Sequence, residues 1–407
     1  MLYNTCDIPI LEERNLKRTA RSILFAVLLF SVLTTACSRK APEDAQEGSG
    51  VVTLAAVGDI FVTDDMLLDA KHGNGVYDFS PQFSGILPAI STADIAIGNF
   101  EGVFAGEPYG SDSGSYPDAL ADTLHDIGFQ ILQTANSYSV QQGISGLERT
   151  VSVLENAQIF PLGTYKDAAA RINSPYLLAE VNGIRFAFIA FTKGIGGMSL
   201  PDSDAYRVNL LYSDYDSNYS KIDYDGISAV LGAVKVQKPD VIIASLHWGS
   251  ENVSEVSESQ EEIADYLFKN GVDVILGSHS HRVGEVERRS VTTNEGKVKN
   301  VLVAYSLGDF CAAESGEAKV SAVLNVEFTR DVESGLTFIS DAGYTAVAAV
   351  DRGADEADRY AVMDADTAIA LYEANHYQAV EQEIYEALVE KRQVLAEAIA
   401  PSEETEP

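Results

Sequence analysis

Two histidines stand one residue apart in LGSHSHRV, residues 276–283, directly after the apolar run DVIL at 273–276. The chain holds six histidines in 407 residues, so a pair at the end of a buried-strand pattern calls for a chemical reason. Other apolar runs end in similar groups. VVTLAAV (51–57) leads into Gly58-Asp59, ADIAIGN (93–99) into Asn99 and Glu101, FQILQTA (129–135) into Asn136, and DVIIASL (240–246) into His247 and Glu251. Carboxylate, amide and imidazole groups gathered this way are the donors of a divalent transition-metal site, with nitrogen ligands suiting Zn, Fe, Mn or Ni. A lone core histidine is more often a hydrogen-bonded structural residue. Here His247, His279 and His281, with two acids on neighbouring strand ends, would leave several buried polar groups unpaired unless an ion met them.

The elements that must position these groups follow from the spacing of apolar residues. RFAFIAF (185–191) and VLVAYSL (301–307) complete the set of strands, while GLERTVSVLENA (146–157), DGISAVLGAVKVQ (225–237) and SQEEIADYLFKNG (259–271) repeat apolar residues three and four apart and predict amphipathic helices. Strand and helix in alternation predict an α/β sheet covered on both faces, with its site just past the carboxyl ends of the strands. His72, His125 and His376 read as solvated side chains. GIGG (194–197) lacks the Lys-Ser/Thr of a phosphate loop, and neither GxSxG nor CxxC occurs. Towards the C-terminus, YTAVAAVDRG (344–353) reads as a last strand, and 367–399 as one or two helices packing blandly on the domain ahead of an acidic tail, PSEETEP.

Charge and the N-terminus bear on location and partners. With 28 Lys+Arg against 61 Asp+Glu, net −33, the chain lacks the clustered cations that nucleic acid requires. At 46% apolar residues it is nonetheless a folding sequence rather than an acidic coil. Arg14, Lys17, Arg18 and Arg21 precede the apolar stretch ILFAVLLFSVLTTA (23–36), an export signal too short for a comfortable membrane span. LTTAC (33–37) resembles a bacterial lipobox, which implies that Cys37 is lipidated and becomes the mature N-terminus; an uncleaved signal anchor is the alternative. Cys6 would then be cleaved away, and Cys311 has no disulfide partner. SRKAPEDAQEGSG (38–50) reads as a flexible tether. The expected location is the extracytoplasmic face of a bacterial cell membrane, reached through a lipid anchor.

In order along the chain, AAVGDI (55–60), ADIAIGNFEG (93–102), TANSYSVQQGISGLERTVSVLENAQIFPLGT (134–164), LHWGSE (246–251), VDVILGSHSHRVGEVE (272–287) and YSLGDF (305–310) form six blocks. Together, over about residues 52–330, they resemble the CapA family of capsule or poly-γ-glutamate synthesis proteins, whose blocks read GD, NLE, ANNHxxDxG, HWGxE, GxHPH and YSLGNF. The resemblance implies an α/β fold of the calcineurin-like metallophosphatase kind, an αββα sandwich of two mixed sheets flanked by helices. It also implies metal ligands at Asp59, Glu101, His247, His279 and His281, holding one or two divalent ions (Mn, Fe or Zn) with Glu101 between them. Glu251 and Glu287 match acids near that site, and Asn99 matches the Asn of the NLE block.

The chain departs from the family pattern at several positions. Asp309 stands where the last block has Asn, and Ser280 replaces the Pro between the two histidines. The larger departure is ANSYSVQQG (135–143), where Asn136 keeps the first Asn of ANNHxxDxG but Ser137, Tyr138 and Gln141 replace Asn, His and Asp. In the family that block supplies a metal ligand and the group that stabilises or protonates a leaving oxygen, so the resemblance makes Asn136, Tyr138 and His247 the candidate catalytic residues. A phenol with a pKa of about 10 can donate a hydrogen bond but cannot cycle a proton near neutrality. The site completed by His247 is therefore the weakened one, and one tightly held ion is expected rather than two.

The expected organisation is a signal peptide (1–36), a lipidated tether (37–50), a CapA-like metallophosphatase domain (51–345) and a C-terminal helical extension with an acidic tail (346–407). Two functions follow from the resemblance. One is a surface-anchored hydrolase acting in capsule or poly-γ-glutamate-type polymer synthesis or export; the other is a catalytically impaired scaffold or binding subunit of an envelope polymer complex.

Overall fold

Apolar residues on both faces of short parallel strands require cover on both sides, and the computed structural model meets that requirement with two stacked sheets. It describes residues 50–314, 318–353, 359–374 and 382–399. The signal, Cys37, nearly all of the tether, His376 and the acidic tail lie outside those residues. The strands are β1 (Val51–Ile60), β2 (Ile95–Phe100), β3 (Ile131–Gln133), β4 (Phe160–Leu162), β5 (Leu177–Val181), β6 (Ile184–Thr192), β7 (Val241–His247), β8 (Val274–Ser278), β9 (Val286–Thr292), β10 (Val298–Ala304), β11 (Ala318–Arg330), β12 (Thr337–Asp351) and β13 (Tyr360–Asp364). The longer helices are α1 (Ala119–Ile127), α2 (Gly143–Asn156), α3 (Tyr224–Val236), α4 (Glu258–Lys269), α5 (Ala365–Glu373) and α6 (Gln382–Ile399).

One sheet has the order β13-β12-β11-β1-β2-β3-β4 and the other β5-β6-β7-β8-β10-β9. β1 to β4 run parallel, as do β6, β7, β8 and β10, whereas β11, β12 and β13 pair antiparallel along one side of the first sheet. Both sheets are thus mixed. Alternate residues divide between two cores: Val52, Leu54 and Ala56 of β1 face the second sheet, and Ala55 and Val57 face the helical layer. β7 repeats the division, with Val241 and Ile243 inward and Ile242, Ala244 and Leu246 against α3 and α4. Phe186 of β6 meets Phe328 of β11 edge to face across the two sheets at 5.3 Å. A fully buried aromatic of this kind stabilises the sandwich by about 1.5–3 kcal/mol.

Two glycines let the chain that follows β10 pass close to the carboxyl ends of β1 and β8. A Cβ on Gly58 would stand 2.1 Å from the Gly308 carbonyl oxygen, and one on Gly277 would stand 2.0 Å from that of Tyr305. With no side chain in the way, the Asp59 amide donates to the Gly308 carbonyl at 2.9 Å and the Phe310 amide donates to Asp59 at 2.8 Å. The chain after β10 is thereby stitched to the end of β1.

The expected boundary at 345 falls inside β12, which runs unbroken from Thr337 to Asp351. β13 extends the same sheet, and Ala365, Ala368, Ile384, Leu388 and Leu395 of α5 and α6 belong to the core between the sheets. β13, α5 and α6 are therefore built into the fold, with α5 and α6 packed on β12 and α6 also on β11. Among the described residues no helix is long and apolar enough to cross a membrane.

Candidate metal centre

The five expected ligands come from four strand ends and meet at one point. Asp59 lies on β1, Glu101 just past β2, His247 at the end of β7, and His279 and His281 in the turn after β8. Two sets of ligand atoms each fall within 4.8 Å of one another: Glu101 with His247 and His279, and Asp59 with Glu101 and His281. Glu101 belongs to both. The structure therefore divides the histidine pair, giving His279 to the set with His247 and His281 to the set with Asp59.

The turn that carries the pair is strained. His279 and His281 have φ of 99° and 57°, a region that residues other than glycine seldom enter. It is held by the His279 amide, which donates to Asp59 Oδ2 at 3.0 Å, and by the Ser280 hydroxyl, which donates to the Arg282 carbonyl at 2.8 Å. The other oxygen of Asp59 accepts from Asn99 Nδ2 at 2.7 Å. Asn136 Nδ2 donates to Asn99 Oδ1 at 3.0 Å and to the Phe100 carbonyl at 2.6 Å, while its Oδ1 accepts from the Tyr138 amide at 3.0 Å. With its amide engaged on the protein in this way, Asn136 sits behind the site as a positioning residue rather than at a reacting atom.

Ser137 and Tyr138 do reach the site. The Ser137 hydroxyl lies 3.1 Å from His247 Nε2, the same ring atom that lies 3.5 Å from Glu101 Oε1. Tyr138 is half-buried against Phe61 and lines an open cleft of about 1240 Å³ with Glu101, Ser137, Gln141, His281 and Asp309. Burial, and then the Glu101 and Glu251 carboxylates, raise its phenol further above the usual value, so it stays protonated. Glu251 lines the same cleft. Glu287 instead lies on β9, bonded to Tyr305 and Arg289, and is not part of the lining. His72 and His125 are surface residues away from it.

Two buried atoms bear directly on whether an ion fits. Glu101 Oε2 and His279 Nδ1 have no hydrogen-bond partner, although a buried polar atom ordinarily has one. Burial pushes the Asp59 carboxyl up to about 6 against the pull of His281, and burial together with the Asp59 charge pushes Glu101 well above its usual range. Burial holds His247 well below the ordinary imidazole value and His279 down at about 3. It would depress His281 too, but the Asp309 hydrogen bond and the Glu101, Asp309 and Asp59 charges raise it to about 10. The result is two neutral imidazoles, one imidazolium and a set of carboxyls straining to stay neutral, a distribution that a divalent cation would relieve.

Two features of the site went unread in the sequence. Asp309 was noted only as a replacement for Asn, yet its Oδ1 lies 2.7 Å from His281 Nδ1, with Lys319 Nζ 3.8 Å from its other oxygen. A carboxylate behind a ligating histidine fixes its ring and raises its basicity. In addition, Glu390, Lys391, Val394, Leu395 and Glu397 of α6 wall the cleft, so the C-terminal stretch expected to pack blandly helps shape the site. The signal for Asp309 was the charge itself, an extra acid beside five ligands. For α6, distance along the chain hid the contact.

Fold and site define an α/β protein of two mixed sheets with a histidine–carboxylate centre at the carboxyl ends of its strands. The chain belongs to the family of bacterial capsule synthesis proteins described as PGA_cap, whose family model matches residues 53–314. It is 23% identical over 314 residues to the capsule biosynthesis protein CapA of Bacillus anthracis, covering 73% of this chain and 70% of that one. With the PGA biosynthesis protein CapA of Bacillus subtilis it shares 21% over 314 residues, 74% of each chain. Among solved structures it is similar to the calcineurin-like phosphoesterase YfkN from Bacillus subtilis, with a TM-score of 0.41, 12% identity and coverage of 81% of this chain and 98% of that one.

Proposed function

We propose that this chain is a lipid-anchored protein of the bacterial cell surface that acts in the synthesis or export of a capsule polymer of the poly-γ-glutamate type, as a metal-dependent hydrolase. The observation that carries the metal part is Glu101: one buried carboxylate common to two ligand sets, with an oxygen that no protein group satisfies. Asp59, Glu101 and His281 would hold one divalent ion, and Glu101, His247 and His279 a second. Ions there would supply Lewis acidity, drawing charge from a phosphoryl or carbonyl oxygen and making water more acidic. The protein's own contribution is positional. Asn99 and Asn136 fix the Asp59 carboxylate and the loop behind it, Asp309 holds the His281 ring, and the protonated Tyr138 offers a hydrogen bond at the cleft face. Names of relatives that refer to capsule and PGA biosynthesis support the polymer assignment. Membrane attachment rests on the export signal and Cys37.

One observation favours a second reading, that of a scaffold subunit. The cleft face carries Ser137 and Tyr138 where the family block has Asn and His, and neither of these two cycles a proton near pH 7. Restoring that block by Ser137→Asn, Tyr138→His and Gln141→Asp together separates the two. A general acid–base group contributes roughly 100- to 10,000-fold, so the triple variant should gain at least about tenfold in Mn-dependent phosphodiester hydrolysis, and the gain should vanish on adding His281→Ala. If wild type and triple variant bind metal fully yet neither hydrolyses, the scaffold reading stands. A wild type that turns over rapidly, with the triple variant no better, shows instead that Tyr138 serves a working site of different specificity.

A further inference from the structure

The end of the sandwich opposite the metal centre carries an apolar tip beside the point where the N-terminal segment enters the fold. β1 begins at Val51, which pairs with Thr329 of β11, and the Arg330 amide donates to the Gly50 carbonyl at 2.7 Å. Immediately beyond, the β11–β12 hairpin turns through residues 331–336. Val332 is 84% exposed, Leu336 68% and Phe338 50%. Single exposed apolar residues are ordinary. Here three lie within seven positions of one hairpin end, next to the chain's entry point.

The turn beneath them is built. The Asp331 amide donates to the Leu336 carbonyl at 2.8 Å, and Asp331 Oδ1 accepts from both the amide and the hydroxyl of Ser334 at 2.6 Å. These bonds turn the Asp331 carboxylate back into the loop, away from the apolar side chains. The same end of the molecule is locked across both sheets. Asn182 Nδ2 donates to the Val51 carbonyl at 2.9 Å, and Arg330 Nη1 donates to the Gly183 carbonyl at 2.9 Å and lies 3.4 Å from Asp240. The tip is therefore rigidly joined to the body and cannot turn independently of it.

We infer that this hairpin tip, with Val332, Leu336 and Phe338, is the surface that rests in the lipid bilayer, so that the metal centre is held facing away from the membrane. The inference rests on the lipid-anchor reading above. Cys37 precedes Gly50 by 13 residues, and the polypeptide leading from it joins the domain at the tip, not at the cleft. Three apolar side chains bind membrane weakly alone; beside an acyl anchor they would fix how the domain faces the membrane. β1 runs from Val51 beside the tip to Asp59 at the centre, which sets the cleft roughly 25 Å from the lipid surface. Glu333 at the turn argues against a requirement for anionic lipid, so the contact is apolar in character and serves a zwitterionic bilayer.

The test uses the full chain reconstituted into phosphatidylcholine vesicles whose acyl chains carry bromine, which quenches nearby tryptophan. The chain's single tryptophan, Trp248, is buried and supplies a constant background. Phe338→Trp and, independently, Leu336→Trp should lose their added emission in brominated relative to plain vesicles. Val253→Trp, in the exposed loop beside Glu251 at the cleft end, should keep it. Flotation with the vesicles and labelled-palmitate incorporation, compared with Cys37→Ser, report on the anchor separately. A chain that neither takes up palmitate nor floats overturns the anchor reading and this inference together. A chain that floats while both tip variants stay unquenched, or while Val253→Trp is quenched, overturns the orientation alone and leaves the anchor standing.

Discussion

Asp309 shows how a single charge bears on a candidate metal site. His281 reaches the cleft with one ring nitrogen 4.0 Å from Glu101 Oε2 and the other held by Asp309 at 2.7 Å. Replacing the carboxylate by an amide keeps the shape and removes the charge that makes the imidazole a strong donor. Asp309→Asn should therefore weaken metal affinity about 10- to 100-fold by isothermal titration; unchanged affinity would show Asp309 to be structural. Protonation makes a second prediction at this scale. Asp59 is raised to about 6, so an incoming cation must displace a proton below that pH, and affinity should fall at least about tenfold per unit as pH drops below 6. For the metal-free fold the sign is opposite. A carboxyl whose pKa is higher folded than unfolded contributes stability that is complete below its ordinary value of about 4 and is lost as pH rises through about 6. Loading with metal should thus shift the pH of greatest stability upwards, which thermal unfolding with and without the ion measures directly. Asp59, Glu101, His247, His279 and His281 were legible as a set because donor-type residues recurred at strand ends. The division of the two histidines between ligand sets was not, since it arises from the positive φ of both residues in a three-residue turn.

At the scale of elements, short apolar runs disclosed every parallel strand except the three-residue β4, and three-four spacing disclosed α2, α3 and α4. The strands β5, β9, β11 and β13, and the first half of β12, escaped notice; β9 and the start of β12 are half-exposed. The burial of β9 alternates along VERRSVT and that of β12 begins the same way, which leaves no continuous apolar run to find. The boundary expected at 345 failed for a related reason: polar surface on α5 and α6 concealed a stripe of core residues. Leu388 is fully buried and belongs to the core between the sheets. Leu388→Ala should accordingly cost about 2–5 kcal/mol in denaturant unfolding, within a single transition that includes the metal-binding body. A change below about 0.5 kcal/mol, the range of surface substitutions, would show α6 to be an appendage.

Over the whole molecule, a net charge of −33 and an acidic, histidine-bearing centre belong together: a negative body favours the approach of cations and opposes nucleic acid. Everything proposed about chemistry depends on whether ions occupy the sets that share Glu101. Metal analysis of the purified full chain after dialysis against Mn, Fe or Zn tests this most directly, with Glu101→Gln as the comparison because one amide substitution removes a ligand from both sets at once. The account predicts about one to two equivalents in the wild type, loss of nearly all of it in Glu101→Gln, and loss of most in the double variant His279→Ala with His281→Ala, all three proteins remaining folded by circular dichroism. Metal content in Glu101→Gln equal to that of the wild type, or a wild type that holds no ion after dialysis, would contradict it.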